Sequence, residues 1–245
     1  MGESNNFFSI FLGKVGSIPG VQVNRENYLR SVFRKEYKGK MEQILLEGPI
    51  NAGVPMNVIN KYADKSIKNE ALLTTGASFL SGLPGGIAMG ISIPGDILNY
   101  YARIFIIVQK LMYLYGWEDD IFDSNGEIDD TTMNALIIYI GFMMGVKPAS
   151  TLLAHFAAKN VTKMASGVIA KSIIKNGASR RIIIKIVQMI GVKSSVKGAF
   201  TVGTKAVPVI SGFVSGGITA ATFIPSTKKL QNFFKGEGIP ASELE

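Results

Sequence analysis

Residues 93–116, IPGDILNYYARIFIIVQKLMYLYG, constrain the fold of this chain more than any other stretch. Pro94 and Gly95 open it, and Asp96 stands where a helix N-terminus takes a hydrogen-bond acceptor and a negative charge. After Asp96 the strongly polar positions up to Tyr115 are Asn99, Arg103, Gln109 and Lys110. At about 100° per residue Asp96, Asn99, Arg103 and Lys110 share one narrow stripe, and Gln109 falls off it. A helix that is apolar on every other side has to be surrounded by protein or by lipid. Arginine on a helix points back toward the N-terminus, so Arg103 is placed to reach Asn99 and Asp96. The pattern predicts a buried polar seam of Asp96, Asn99 and Arg103 within a bundle of helices.

Charge is spread very unevenly. Residues 1–130 carry 12 Lys and Arg against 15 Asp and Glu, whereas 131–245 carry 14 against 3. Between 131 and 236 there is no acidic residue. An apolar segment dotted with cations alone attracts anions, either phosphate backbones or anionic lipid head groups. Lipid fits better, because the residues between the cations are Ile, Val, Ala and Gly rather than the stacking aromatics of nucleic-acid binders. The candidate membrane or anion contacts are Lys159, Lys163, Lys171, Lys175, Arg180, Arg181, Lys185, Lys228 and Lys229. A plain solvated basic face is the competing reading. Only 18% of the chain is charged, against about 25% in an ordinary soluble domain. That shortfall suits many buried helices or contact with a membrane.

With no cysteine, disulfides, thiolate metal sites and cysteine nucleophiles are excluded. His155 is the single histidine, on an alanine-rich helix without a nearby carboxylate, which favours a packed or surface role over general-base chemistry. No metal site and no cofactor are expected.

In chain order, residues 1–23 read as a short apolar segment and a linker. They lack the positive lead-in of a secretory signal. Asn24 is expected to cap a charged helix running to about Glu47, weakened by Gly39 and ended by the GPINAGVP stretch. A second helix is expected over 57–69. Residues 71–95 form an uncharged run with six glycines, Pro84 and Pro94, which predicts a glycine-rich helical hairpin rather than a straight span. Seven carboxylates between Glu118 and Asp130 resemble a calcium loop. Setting Gly126 at the loop's sixth position puts Ile121 and Thr132 at its end ligands, so the register fails and a solvated loop whose last Asp caps the next helix is expected. Residues 131–146 read as a buried helix, and Pro148 starts another to about Asn176. A last uncharged run, 206–227, holds Gly212 and Gly216 at a spacing that lets helix backbones approach closely. The tail from 237 to 245 is acidic.

Taken together, GLPGGIAMGISIPGDILNYYARIFIIVQKLMYLYGW, the acidic loop with its following apolar helix, and KAVPVISGFVSGGITAATFIPSTKKL resemble the EcsC protein family. Its signature block pairs two glycines with a Pro-x-Asp turn, an arginine in the next helix and a closing Tyr-Gly. Where members often have an asparagine after the closing glycines, this chain has Ile218 and Thr219. The resemblance covers most of residues 70–235. It implies a bacterial protein in a membrane-proximal setting beside a transport system, and it implies no reaction.

The expected architecture is all-α: a multi-helix bundle around a central apolar helix, about 93–116, with glycine-rich helical hairpins that are buried or membrane-inserted. One EcsC-like domain spans 24–236. The leading functional expectation is a non-enzymatic, membrane-associated protein on the cytoplasmic side of the cell membrane, peripheral or partly inserted. It would act as regulator or partner of a membrane transport or secretion complex, with an anionic membrane surface as partner and no nucleic acid. The alternatives are a hydrolase or ligand-binding protein using Asp96, Asn99 and Arg103, and a membrane-permeabilising toxin or its immunity protein.

Overall fold

The computed structural model describes residues 20–74, 95–158 and 220–239, with isolated positions at 15, 16, 18, 182, 184, 185, 242 and 244. The side chains of 95–99 and 220–222 lie outside the description. The described chain is all-helical, without a strand.

Helix α1, Arg25–Phe33, starts at Asn24, whose side chain accepts a hydrogen bond from the Asn27 N–H. It buries Arg25, Leu29 and Phe33. The single helix expected to reach about Glu47 is instead two. After Phe33 the chain turns, a short 3-10 segment covers Lys38–Lys40, and α2 runs Met41–Asn51. From 34 to 40 only Tyr37 is partly buried, and Gly39 lowers helix propensity by about 1 kcal/mol, so little packing supports a continuous helix there. GPINAGVP kinks α2 before ending it: Gly48 has φ 80° and ψ 161°, and Pro49 follows. Proline cannot donate to the Leu45 carbonyl four residues back. The buried Arg25 fills that vacancy, with Nη1 2.6 Å from Leu45 O and Nε 3.2 Å from Trp117 O.

Helix α3 spans Met56–Thr74 and α4 spans Gly95–Leu114. α3 runs past the expected end at 69 because its inner face, Ile59, Ala63 and Ile67, continues through Glu70 and Ala71, both buried against neighbouring helices. From Tyr100 to Tyr115 every residue of α4 and its end is buried except Lys110, which is half-buried. Gln109, off the polar stripe, is fully enclosed. Its Oε1 accepts from Val23 N at 2.9 Å, and its Nε2 donates to Val21 O at 2.9 Å. A segment that reads as a linker is thereby fastened to α4.

The acidic loop leads to α5, Asp130–Met143. Its cap is Asp129 rather than the last acid, Asp130: the Asp129 carboxylate accepts from Thr131 N and Thr132 N, and Asp130 occupies the first turn. Residues 135–144 of α5 and its end are all buried. Helix α6, Lys147–Ala157, follows at 111° to α5, with Pro148 in its first turn where the missing N–H is harmless. The continuation expected to about Asn176 lies outside the described residues. Helix α7, Ala220–Phe234, closes the described fold.

α3 packs most extensively on α4, and α7 lies against α3, α4 and α5. α1 and α2 pack on each other and on α4. Aromatic side chains fill the centre, with Tyr100, Phe105, Tyr113 and Phe142 almost wholly buried. Among the described residues no single helix is long and apolar enough to cross a membrane; α5 and α6 reach that composition only as a bent pair. Of the glycine-rich runs expected to form hairpins, 75–94 of the first and 206–219 of the second lie outside the described residues, while 220–227 forms the start of α7 with Phe223, Ser226 and Thr227 buried.

Candidate functional site

The polar stripe of α4 meets a partner that the stripe itself does not contain. Arg103 and Lys110, seven residues apart and therefore on one face, converge on Glu70 of α3. Arg103 Nη1 lies 3.1 Å from Glu70 Oε2, and Lys110 Nζ lies 2.6 Å from Glu70 Oε1. Each carboxylate oxygen thus takes one cation. Lys110 also stands 5.7 Å from the Tyr28 ring centroid, and the Tyr28 hydroxyl is 2.8 Å from Ser66 Oγ, which ties α1 into the same cluster. Burial pushes the Tyr28 phenol well above its ordinary value, so it stays protonated at neutral pH. The side chains of Asp96 and Asn99, the other members of the expected seam, lie outside the described residues.

The chemistry open to this cluster follows from its occupancy. A buried carboxylate is affordable only when paired, and Glu70 is paired twice. Both of its oxygens are taken up by cations, which leaves neither turned toward a substrate. It cross-links α3 to α4.

One and a half turns earlier on α3 a second polar cluster faces α7. Asp64 Oδ1 accepts from Lys228 Nζ at 2.6 Å and from Gln231 Nε2 at 2.7 Å. The Tyr115 hydroxyl donates to Asn60 Oδ1 at 2.6 Å and accepts from Gln231 Nε2 at 3.3 Å. Partial burial would raise the Asp64 pKa, but the bonds from Lys228 and Gln231 outweigh it and hold the carboxyl below its ordinary value of 3.8.

Of the expected membrane or anion contacts, Lys185 is exposed, Lys228 is engaged with Asp64, and Lys229 stands 4.4 Å from the Phe142 ring centroid. Lys159, Lys163, Lys171, Lys175, Arg180 and Arg181 lie outside the described residues. His155 is exposed in the last turn of α6, beside Phe156. The acidic loop borders an open depression of about 480 Å³ lined in part by Asp120, Asp123, Glu127 and Asp129. Asp123 Oδ1 is occupied by the N–H groups of Asn125 and Glu127, and Asp129 by its cap. No group of three metal-ligating side chains converges among the described residues.

Sequence reasoning found Arg103 and Lys110 and missed Glu70. A signal for it existed: Glu70 continues the apolar spacing of Ile59, Ala63 and Ile67, an inward position where a lone charge demands a partner. Arg25 carries the same signal, four residues before Leu29 and eight before Phe33, whereas Asp64 had none. Comparison of the chain with known protein families, with curated proteins and with solved structures finds no match.

Proposed function

We propose that this is a non-enzymatic, membrane-associated helical protein of the EcsC type, acting at an anionic leaflet as partner or regulator of a transport or secretion system. The observation that carries the reading is the segment 131–236, which holds 14 Lys and Arg and no Asp or Glu. Cations at a membrane surface contribute about 1 kcal/mol each, so a handful suffices for reversible attachment. Two uncharged glycine-rich runs, 206–227 within this segment and 71–95 earlier in the chain, suit a protein working against a bilayer. The pairing of Arg103 with Glu70 supports the non-enzymatic part, because it accounts for the one arginine of the polar stripe without a substrate.

The test is fractionation of cells expressing the full chain, followed by salt and carbonate washes of the membrane pellet, together with flotation on anionic vesicles. Release by salt is the expected result and marks a peripheral protein held by charge. Retention until detergent is added would put parts of the chain inside the bilayer. A protein that stays in the membrane-free fraction and ignores anionic vesicles at low salt would overturn the proposal.

A further inference from the structure

We infer that the outer face of α3 is a lipid-contacting surface, in which three lysines meet anionic head groups and Leu72 enters the acyl boundary. The inference rests on the membrane reading above and assigns it to residues outside the basic carboxyl-terminal segment.

Lys61, Lys65, Lys68 and Leu72 recur at spacings of four, three and four, so at about 100° per residue they fall within a stripe about 60° wide. All four are exposed. The opposite side of the same helix, Ile59, Ala63, Ile67 and Ala71, is buried in the core, which fixes the stripe toward the outside. From Lys61 to Leu72 the stripe is about 16 Å long. Lys61 is shared with Glu36 at 3.6 Å, while Lys65 and Lys68 form no ion pair among the described residues. The contact with Glu36 also brings the turn after α1 alongside, and there Arg34, Lys35 and Lys38 are exposed.

Charge alone would suit any polyanion. The leucines decide between partners. Leu72 is 71% exposed and the adjacent Leu73 47%, two of the few large apolar side chains that the described surface leaves in water. Long lysine stems lie along apolar surface with their ammonium groups at the head-group level, and leucine at the end of such a stripe is the side chain an acyl boundary accepts. A nucleic-acid surface would use aromatic or amide side chains in those positions.

The full chain is tested against vesicles of phosphatidylcholine with and without phosphatidylglycerol. Joint replacement Lys61→Glu, Lys65→Glu and Lys68→Glu is expected to weaken binding to the anionic vesicles on the order of 1000-fold or more. The milder Lys→Gln set is expected to weaken it about 100-fold, and circular dichroism checks that both sets keep the wild-type helix content. Because the chain has no cysteine, a Leu72→Cys variant takes a single environment-sensitive label. Its emission should move to the blue on vesicle addition, whereas a label at Ser124→Cys, exposed in the acidic loop, should not. Wild-type flotation with undiminished binding by the lysine variants, or a Leu72 label that stays in water, overturns this inference and leaves the membrane reading standing. Wild-type protein that does not bind anionic vesicles overturns both. Equal loss of heparin and vesicle binding with a silent label would assign the lysines to a soluble polyanion instead, and so also overturns it.

Discussion

Helix α3 carries two carboxylates that reach across to a neighbouring helix, and the two are built to opposite specifications. Glu70 has a side chain 4% exposed and two cations from α4, one on each oxygen. Asp64 has a side chain 42% exposed and takes Lys228 and Gln231 of α7 on a single oxygen. At Glu70, water has been removed and the two cations replace it, so the pairs weaken little with salt but leave a large penalty if one member is lost. At Asp64, water remains beside the pair, so its net contribution is small and screened. The comparison teaches that distance does not rank ion pairs, since Lys110 to Glu70 and Lys228 to Asp64 are both 2.6 Å. Desolvation does.

Removing the buried carboxylate is the strongest test. Glu70→Ala removes the buried counter-charge that Arg103 and Lys110 share between α3 and α4 and is expected to destabilise the protein by about 3 to 5 kcal/mol, read from the urea midpoint. A loss below about 1 kcal/mol would break the contrast with Asp64. Replacing the whole group, Glu70→Leu with Arg103→Met and Lys110→Met, is expected to recover most of that loss, because apolar packing substitutes well for a buried ion cluster. Failure to recover would mean that the cluster holds something the packing of α3 on α4 does not explain.

Asp129 supplies an intermediate yardstick, a carboxylate that bonds backbone donors instead of cations. Asp129→Ala is expected to cost about 1 kcal/mol through the lost cap of α5, with little dependence on salt. Asp64→Asn should cost less than about 1 kcal/mol, and the difference should vanish in added salt. A salt-insensitive loss there would show that Gln231, not Lys228, dominates.

The smallest effect is the pH dependence. The folded-state pKa of Asp64 lies below its ordinary 3.8, so the stability it adds is fully present above 3.8 and disappears as pH falls through the folded value. Urea midpoints of wild type and Asp64→Asn should therefore converge in acid below that value. Asp129 is held low as well, because the bonds from the Thr132 hydroxyl and the two backbone amides outweigh its partial burial. Divergence in acid would place the shift elsewhere.

Much of the helical architecture was legible because it is written in local chemistry. Asn24 reads as a cap and is one, and Pro148 stands in the first turn of α6. Errors arose where local signals were weak or tied. Asp129 and Asp130 are equally good caps in sequence, and the structure has the first as the cap and the second in the first turn. The expected single helix from Asn24 ignored that a stretch such as 34–40, where only Tyr37 is partly buried, gains little from packing.

Helix positions, caps and faces follow from neighbours within about four residues along the chain, and the amino-acid order determines them. The partners of Arg103 and Lys110 lie 33 and 40 residues away, and that of Lys228 lies 164 residues away. Which charge meets which was decided by the packing of α3 against α4 and α7, because a buried charge settles only where the folded chain offers it a counter-charge out of water.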